Sequence, residues 1–189
     1  MRVIAGKSRS LKLKTPSGLN TRPTQDRIKE TLFNMIQNDI PGAVFIDCFA
    51  GSGGIGIEAL SRGAKKAYFI ENNKEALSCI EDNLKTTHLY NDAIILKNDI
   101  IAGLSSIREE EANVIFMDPP YEAGYEESVF KAFSKLSYVT DDTLIILEAS
   151  LNKEFSFDGF MIIKEKKYKT NKHIFLRRNN EESNLSGKL

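Results

Sequence analysis

Asp47-Cys48-Phe49-Ala50-Gly51-Ser52-Gly53-Gly54-Ile55-Gly56 decides the fold class of this 189-residue chain. An apolar run, Ala43–Asp47, leads into it, and a helical pattern near Ile55–Arg62 leads out. Glycines at such a junction let the backbone approach a ligand closely and leave unpaired N–H groups at the helix start. Downstream, Ala67–Ile70 reads as a second strand, and Asn73–Thr86 as a helix with Ala76, Leu77, Ile80 and Leu84 on one face. Ala93–Leu96 and Val114–Met117 are a third and a fourth strand. A helix near Glu126–Leu136 precedes a fifth, Thr143–Leu147. Repeated strand–helix units predict an α/β fold, an open and mostly parallel sheet with helices on both faces. After Glu148 the pattern changes. Met161–Glu165 and His173–Leu176, joined by a Lys-rich link, predict a closing antiparallel hairpin.

Upstream, Arg2–Lys14 mixes short apolar pairs with Gly6 and cations, as a small β-hairpin or an extended arm would. Pro16-Ser17-Gly18 is a turn, and Thr24 is the expected N-cap of a helix carrying Ile28, Leu32, Met35 and Ile36. The organisation expected is a basic arm and helix over residues 1–40, one domain over 41–178 and a polar, disordered tail over 179–189. Composition, 41% hydrophobic and 28% charged, is that of a soluble globular protein. No apolar run reaches the length of a membrane span, and no signal peptide is visible. Cys48 and Cys79 lack metal or disulfide spacing, so no metal is expected and a reducing cytoplasm is the default.

A formal net charge of zero hides a strong asymmetry. Residues 1–29 carry eight cations against Asp26, net +7, and residues 153–178 carry eight against three acids, net +5, leaving −12 elsewhere. Two basic patches flanking an acidic body fit a phosphate-bearing partner; two solvated charged faces remain the alternative.

Gly51, Gly53 and Gly56 satisfy G-x-G-x-x-G, and Glu71 follows Gly51 by twenty residues, at the end of the second strand. That pattern alone does not separate a dinucleotide from S-adenosylmethionine. Asp47 tips the balance: a carboxylate before the turn would crowd a pyrophosphate but suits a cofactor with an ammonium and a sulfonium. The geometry of Glu71 suits a ribose diol. Asp99 can accept from an adenine amino group while Ile100 packs on the ring, although an N-cap role for Asp99 fits equally.

Asp118-Pro119-Pro120-Tyr121 follows the fourth strand, at the sheet edge where open α/β sheets bind ligands. The prolines cannot continue the ladder, which frees their carbonyls to face a pocket. An exocyclic amine on a base is a poor nucleophile because its lone pair is delocalised into the ring. The Asp118 carboxylate and the Pro119 carbonyl can hold both amine hydrogens and turn the lone pair toward a methyl group. Asp118 can then take the proton shed, and Tyr121 offers a face for a flipped base.

With these motifs the chain resembles the class I methyltransferases and, more narrowly, the bacterial small-subunit rRNA guanine-N2 methyltransferases of the RsmD family. The distinctive stretches are Thr21–Arg27 with Glu30–Asn34, then Asp47–Gly56, Glu58–Ala64 and Asp118–Tyr121. The resemblance implies a seven-stranded Rossmann-like sheet and one methyl transferred from S-adenosyl-L-methionine to N2 of a 16S rRNA guanine, position 966 in the family. It also implies a partly assembled small ribosomal subunit as substrate and a monomeric, cytoplasmic enzyme that needs no membrane. Carried over residue by residue, Asp47, Phe49, Ala50, Gly51, Ser52, Gly53, Glu71, Asn72, Asp99, Ile100 and Asp118 contact the cofactor. Asp118, Pro119 and Tyr121 are catalytic. Arg9, Arg22, Thr24 and Arg27 are the expected RNA contacts; Arg22 could instead help close the cofactor pocket or pair with Asp26 or Glu30. His88 and His173 are expected as surface or satisfied core residues, since this chemistry needs neither. The alternatives are a DNA adenine-N6 methyltransferase, for which 189 residues leave little room for a recognition domain, and an NAD-dependent oxidoreductase, which leaves Asp118–Tyr121 unexplained. A non-catalytic RNA-binding protein is a further option.

Overall fold

The structure, a computed structural model, describes residues 1–16, 23–120 and 124–179, with Pro23 and Thr24 by backbone alone. The first helix, α1, runs over Pro23–Met35. It therefore starts one residue before the expected Thr24 cap. Proline suits the first helical position, where its fixed φ is helical and its missing N–H has no partner to lose. Strands and helices then alternate: β1 (Val44–Cys48), α2 (Gly54–Ser61), β2 (Lys66–Ile70), α3 (Lys74–Thr86) and β3 (Ala93–Leu96). They continue with α4 (Ile100–Ser106), β4 (Val114–Met117), α5 (Tyr125–Phe133), β5 (Leu144–Ser150), β6 (Phe160–Lys167) and β7 (Asn171–Arg178).

Among the described residues these strands form one seven-stranded sheet in the order β3-β2-β1-β4-β5-β7-β6. β1 to β5 are parallel, and β7 inserts antiparallel between β5 and β6, so the C-terminal hairpin closes the sheet as expected. The chain order reverses between β1 and β4, and a crevice opens there at the carboxyl ends of the strands.

Alternation along the buried strands builds two cores. Phe45, Phe69, Phe116 and Ile146 face α1, α2 and α3, while Ile46, Ile70, Ile115 and Leu147 face α4 and α5. Each such fully buried side chain contributes roughly 1.5–3 kcal/mol over exposure. The third glycine of the turn serves this packing: a Cβ on Gly56 would lie 2.4 Å from the Phe69 ring. Asn73 caps α3 through Glu75 N and Ala76 N, and Asp99 caps α4 through Ala102 N. No helix among the described residues is long and apolar enough to cross a membrane.

Residues 1–16 are fastened to this body. Arg2 and Lys12 form an antiparallel bridge, and Val3 N donates to Leu11 O at 2.9 Å, so the arm is a short hairpin. Glu58 on α2, fully buried, accepts from Ile4 N (2.8 Å) and Ala5 N (3.0 Å). Ser61 adds bonds to Ala5 O and Ser8 N, and a Cβ on Gly6 would fall 1.8 Å from Ser61 O.

Candidate active site

The crevice at the carboxyl edge is a cavity of about 460 Å³ lined by Phe49, Glu71, Asn72, Asp99, Ile100 and Asp118 with Pro119, all singled out by sequence. Ile70, Asn98, Pro120 and Tyr125 complete the wall. Each comes from the end of a strand, the loop after it or the first residue of the helix that follows, which explains how residues from 49 to 125 meet at one edge.

Glu71 closes β2 and braces the glycine turn. Its Oε2 accepts from Gly51 N at 2.8 Å, and its Oε1 accepts from Asn72 N and Asn73 N, each at 2.8 Å. Phe49 adopts a left-handed conformation, φ 62°, a strained choice for a bulky residue of the kind that gathers at functional sites. Its ring lies 5.3 Å from that of Tyr125 on the other wall. A Cβ on Gly51 would meet nothing within 4 Å, so the turn presents open space rather than packed side chains.

Asp47 lies outside the wall of the cleft. Its Oδ2 accepts from Gly56 N at 2.8 Å, and the side chain is buried. Burial pushes its carboxyl well above the ordinary range; the Gly56 N–H opposes this, and Asp118 and Glu71 add to it. Ala50, Ser52 and Gly53 belong to the turn's own bonding: Ala50 N donates to Ile70 O, Gly53 N to Ala50 O, and Ser52 O accepts from Asn83. Asp99 uses one oxygen for its cap on α4, as one of its two readings expected, and also lines the cleft.

Asp118 touches two cavities. Its carboxyl is raised to about 7, first by burial and then by the neighbouring Glu148. The side chain is open to the cleft, so that shift is largest when a ligand excludes water. On its other side is a smaller pocket of about 140 Å³, where Gln25, Ile28, Lys29 and Leu32 of α1 meet Phe116, Asp118, Glu148 and His173. The spacing 25, 28, 29, 32 is one face of a helix. On a different face, Asp26, Arg27 and Glu30 line a groove of about 410 Å³ with Arg2 and Arg9 of the arm. α1 thus lies between the Asp118 carboxylate and a groove lined by three arginines and two acids. Arg9 and Arg27 are exposed there, while Arg2 pairs with Asp26 at 3.4 Å. Arg22 and Tyr121 lie outside the described residues, as does the side chain of Thr24.

The profile of a family described as "Conserved hypothetical protein 95" matches residues 1–177. The chain belongs to the RsmD family. Ribosomal RNA small subunit methyltransferase D of Escherichia coli K12 is 35% identical over 153 residues, covering 80% of this chain and 75% of that protein. The protein of the same name from Haemophilus influenzae is 32% identical over 171 residues and covers 88% of each. The solved structure of Escherichia coli yhhF matches with a TM-score of 0.81 at 31% identity, over 95% of this chain and 98% of that one. The fold is that of a Rossmann-like class I methyltransferase.

Within this RsmD-family chain, three contributors to the site carried no sequence signal of their own. Tyr125 lay just before the expected helix and Glu148 just after the expected fifth strand; the structure places them at the start of α5 and within β5. Lys29, one cation among eight, is buried with its Nζ 3.2 Å from Glu58 and 2.7 Å from Arg2 O. His173 sits in the core, as expected, but against Glu148 and on the wall of the pocket that Asp118 shares.

Proposed function

We propose that the protein methylates the exocyclic N2 of a guanine in 16S rRNA, the family position being guanine 966, with S-adenosyl-L-methionine as donor. The observation that carries the reading is the single cleft joining Glu71, Asp99 and Ile100 to Asp118 and Pro119. Three acids, Glu71, Asp99 and Asp118, line its wall. That field favours a cationic ligand and disfavours the pyrophosphate of a dinucleotide. When bound, S-adenosylmethionine supplies a methyl carbon made electrophilic by its sulfonium, and the sulfur keeps the electron pair as a neutral thioether. Glu71 offers acceptors for a ribose diol, Asp99 for an adenine amino group, and Ile100 an apolar face.

The chain's own part in the reaction follows from the Asp118–Pro119 edge. The carboxylate and the carbonyl accept from the two hydrogens of the guanine amine and aim its lone pair. As the nitrogen gains its bond to carbon it must shed a proton, and Asp118 is placed to take it. Tyr121 would stack on the flipped base. Arg9 and Arg27 would bind phosphate on the far side of α1, and Arg22 and Thr24 are proposed as further RNA contacts. The substrate is rRNA within a partly assembled small subunit, and the enzyme acts as a cytoplasmic monomer.

Labelled cofactor incubated with immature small subunits, naked 16S rRNA and DNA tests the proposal. One methyl per small subunit, recovered as N2-methylguanine, is the expected result. Label on DNA adenine alone would overturn it.

A further inference from the structure

Methyl transfer through Asp118 leaves one acid of the neighbouring pocket without a role. β4 and β5 pair in parallel up to Met117 and Leu147, so the next residues, Asp118 and Glu148, come side by side. Both carboxylates line the pocket beneath α1. Glu148 is held from the opposite side: His173 Nε2 lies 3.2 Å from its Oε2, and Asn171 Nδ2 donates to its Oε1. His173 is 1% exposed, with its Nδ1 3.1 Å from the Tyr168 hydroxyl and its ring edge-on to Phe116. With the proton on Nε2, the imidazole donates to Glu148 and accepts from Tyr168. Burial first, then Glu148, raises the Tyr168 hydroxyl to about 12, which keeps it a donor. No donor among the described residues reaches Asp118.

We propose that Glu148, braced by His173 and Asn171, is a positioning residue that makes Asp118 a competent proton acceptor. The proposal rests on the reading of Asp118 as the group that takes the amine proton. Two carboxylates in one pocket cannot ionise with equal ease, and the one with donors keeps its charge. Glu148 has the donors. Asp118 therefore takes the proton when the amine nitrogen forms its N–C bond and releases N–H. The other charged groups around the pair leave this division in place. Lys29, reaching in from α1, is engaged by Glu58 and the Arg2 carbonyl, and burial lowers its ammonium. The amino terminus at Met1 is likewise lowered by burial. Lys166 stands opposite His173 in the β6–β7 ladder but is exposed. Asp47, behind Asp118, is buried, which pushes its own carboxyl well above the ordinary range, and Glu71 is engaged by the backbone N–H groups of Gly51, Asn72 and Asn73.

The test is a carbon-13 titration of the aspartate carboxyls in the full-length protein, with Asp118→Asn assigning the Asp118 signal, alongside single-turnover methylation of small subunits across pH. Wild-type Asp118 should titrate well above ordinary carboxylates. Glu148→Gln should lower its midpoint by about one unit or more, and the acid limb of the rate profile should follow. Glu148→Asp, which keeps the charge, should keep the midpoint high. An ordinary midpoint in wild type, or an unmoved one in folded Glu148→Gln, overturns the proposal. A midpoint that moves in a protein that methylates no rRNA upholds the tuning and sinks the functional reading instead.

Discussion

Glu58 and Asp118 are both acids close to α1, one sealed in the core and one open to the cleft, and their partners differ. Glu58, on α2, has no exposed surface and is met by Ile4 N, Ala5 N, Arg62 Nε at 2.8 Å and Lys29 Nζ at 3.2 Å. Asp118, at the end of β4, has its carboxyl raised first by desolvation and then by the charge of Glu148. An acid given donors becomes architecture: Glu58 fastens the arm and α1 to the body. An acid given another acid is, in the function proposed above, a base held ready. The contrast also explains why the arm can be both rigid and close to the chemistry, since the helix that Glu58 anchors through Lys29 roofs the pocket of Asp118.

The contrast breaks most visibly at Asp118. Asp118→Ala should cut single-turnover methylation by about 10³- to 10⁴-fold while leaving the melting temperature close to wild type. Glu58→Ala should do the reverse. It strands two cations and two backbone donors, so denaturant unfolding should show a loss of about 3–5 kcal/mol, with any fall in activity tracking loss of fold. Glu71 stands between the two kinds, as a brace that faces the cleft. Its replacement by Ala should weaken cofactor binding by roughly ten- to a hundredfold in calorimetry, as losing one or two charged hydrogen bonds would.

Smaller effects sharpen the picture. Arg9→Ala and Arg27→Ala should each weaken subunit binding and reduce its salt dependence by about one unit of slope, with the chemical step unchanged. Smallest is a stability effect at Asp118. Because its carboxyl titrates near 7 when folded and near 3.8 when unfolded, the folded state holds the extra proton between those values. Stability contributed by this group is full below pH ~4 and is lost as pH rises toward 7. Asp118→Asn should therefore be more stable than wild type at neutral pH, with the gap closing in acid. Solvent at the cleft mouth keeps the gap small.

Much of this was legible in the chain because it is local. β3 and β4 fall on the residues that periodicity marks, and Asp99 caps the helix it precedes. The cleft residues were legible because an α/β alternation sends every strand end to one edge. What was hidden is what depends on register. Glu148 faces Asp118, and His173 faces Glu148, only because β5 sits between β4 and β7, an order no local pattern encodes. Glu58 and Ser61 lie in a stretch distinctive of the family, yet their task is to hold Ile4, Ala5 and Ser8, more than fifty residues away. Asp47 was read as a cofactor contact from its place before the turn; the structure shows it bonded to Gly56 N, as a brace for that turn.

Mass mapping of 16S rRNA from cells lacking the protein tests the central claim most directly. One N2-methylguanine should be missing, restored by the wild-type gene and not by Asp118→Ala. A complete set of methylguanines in those cells would contradict it.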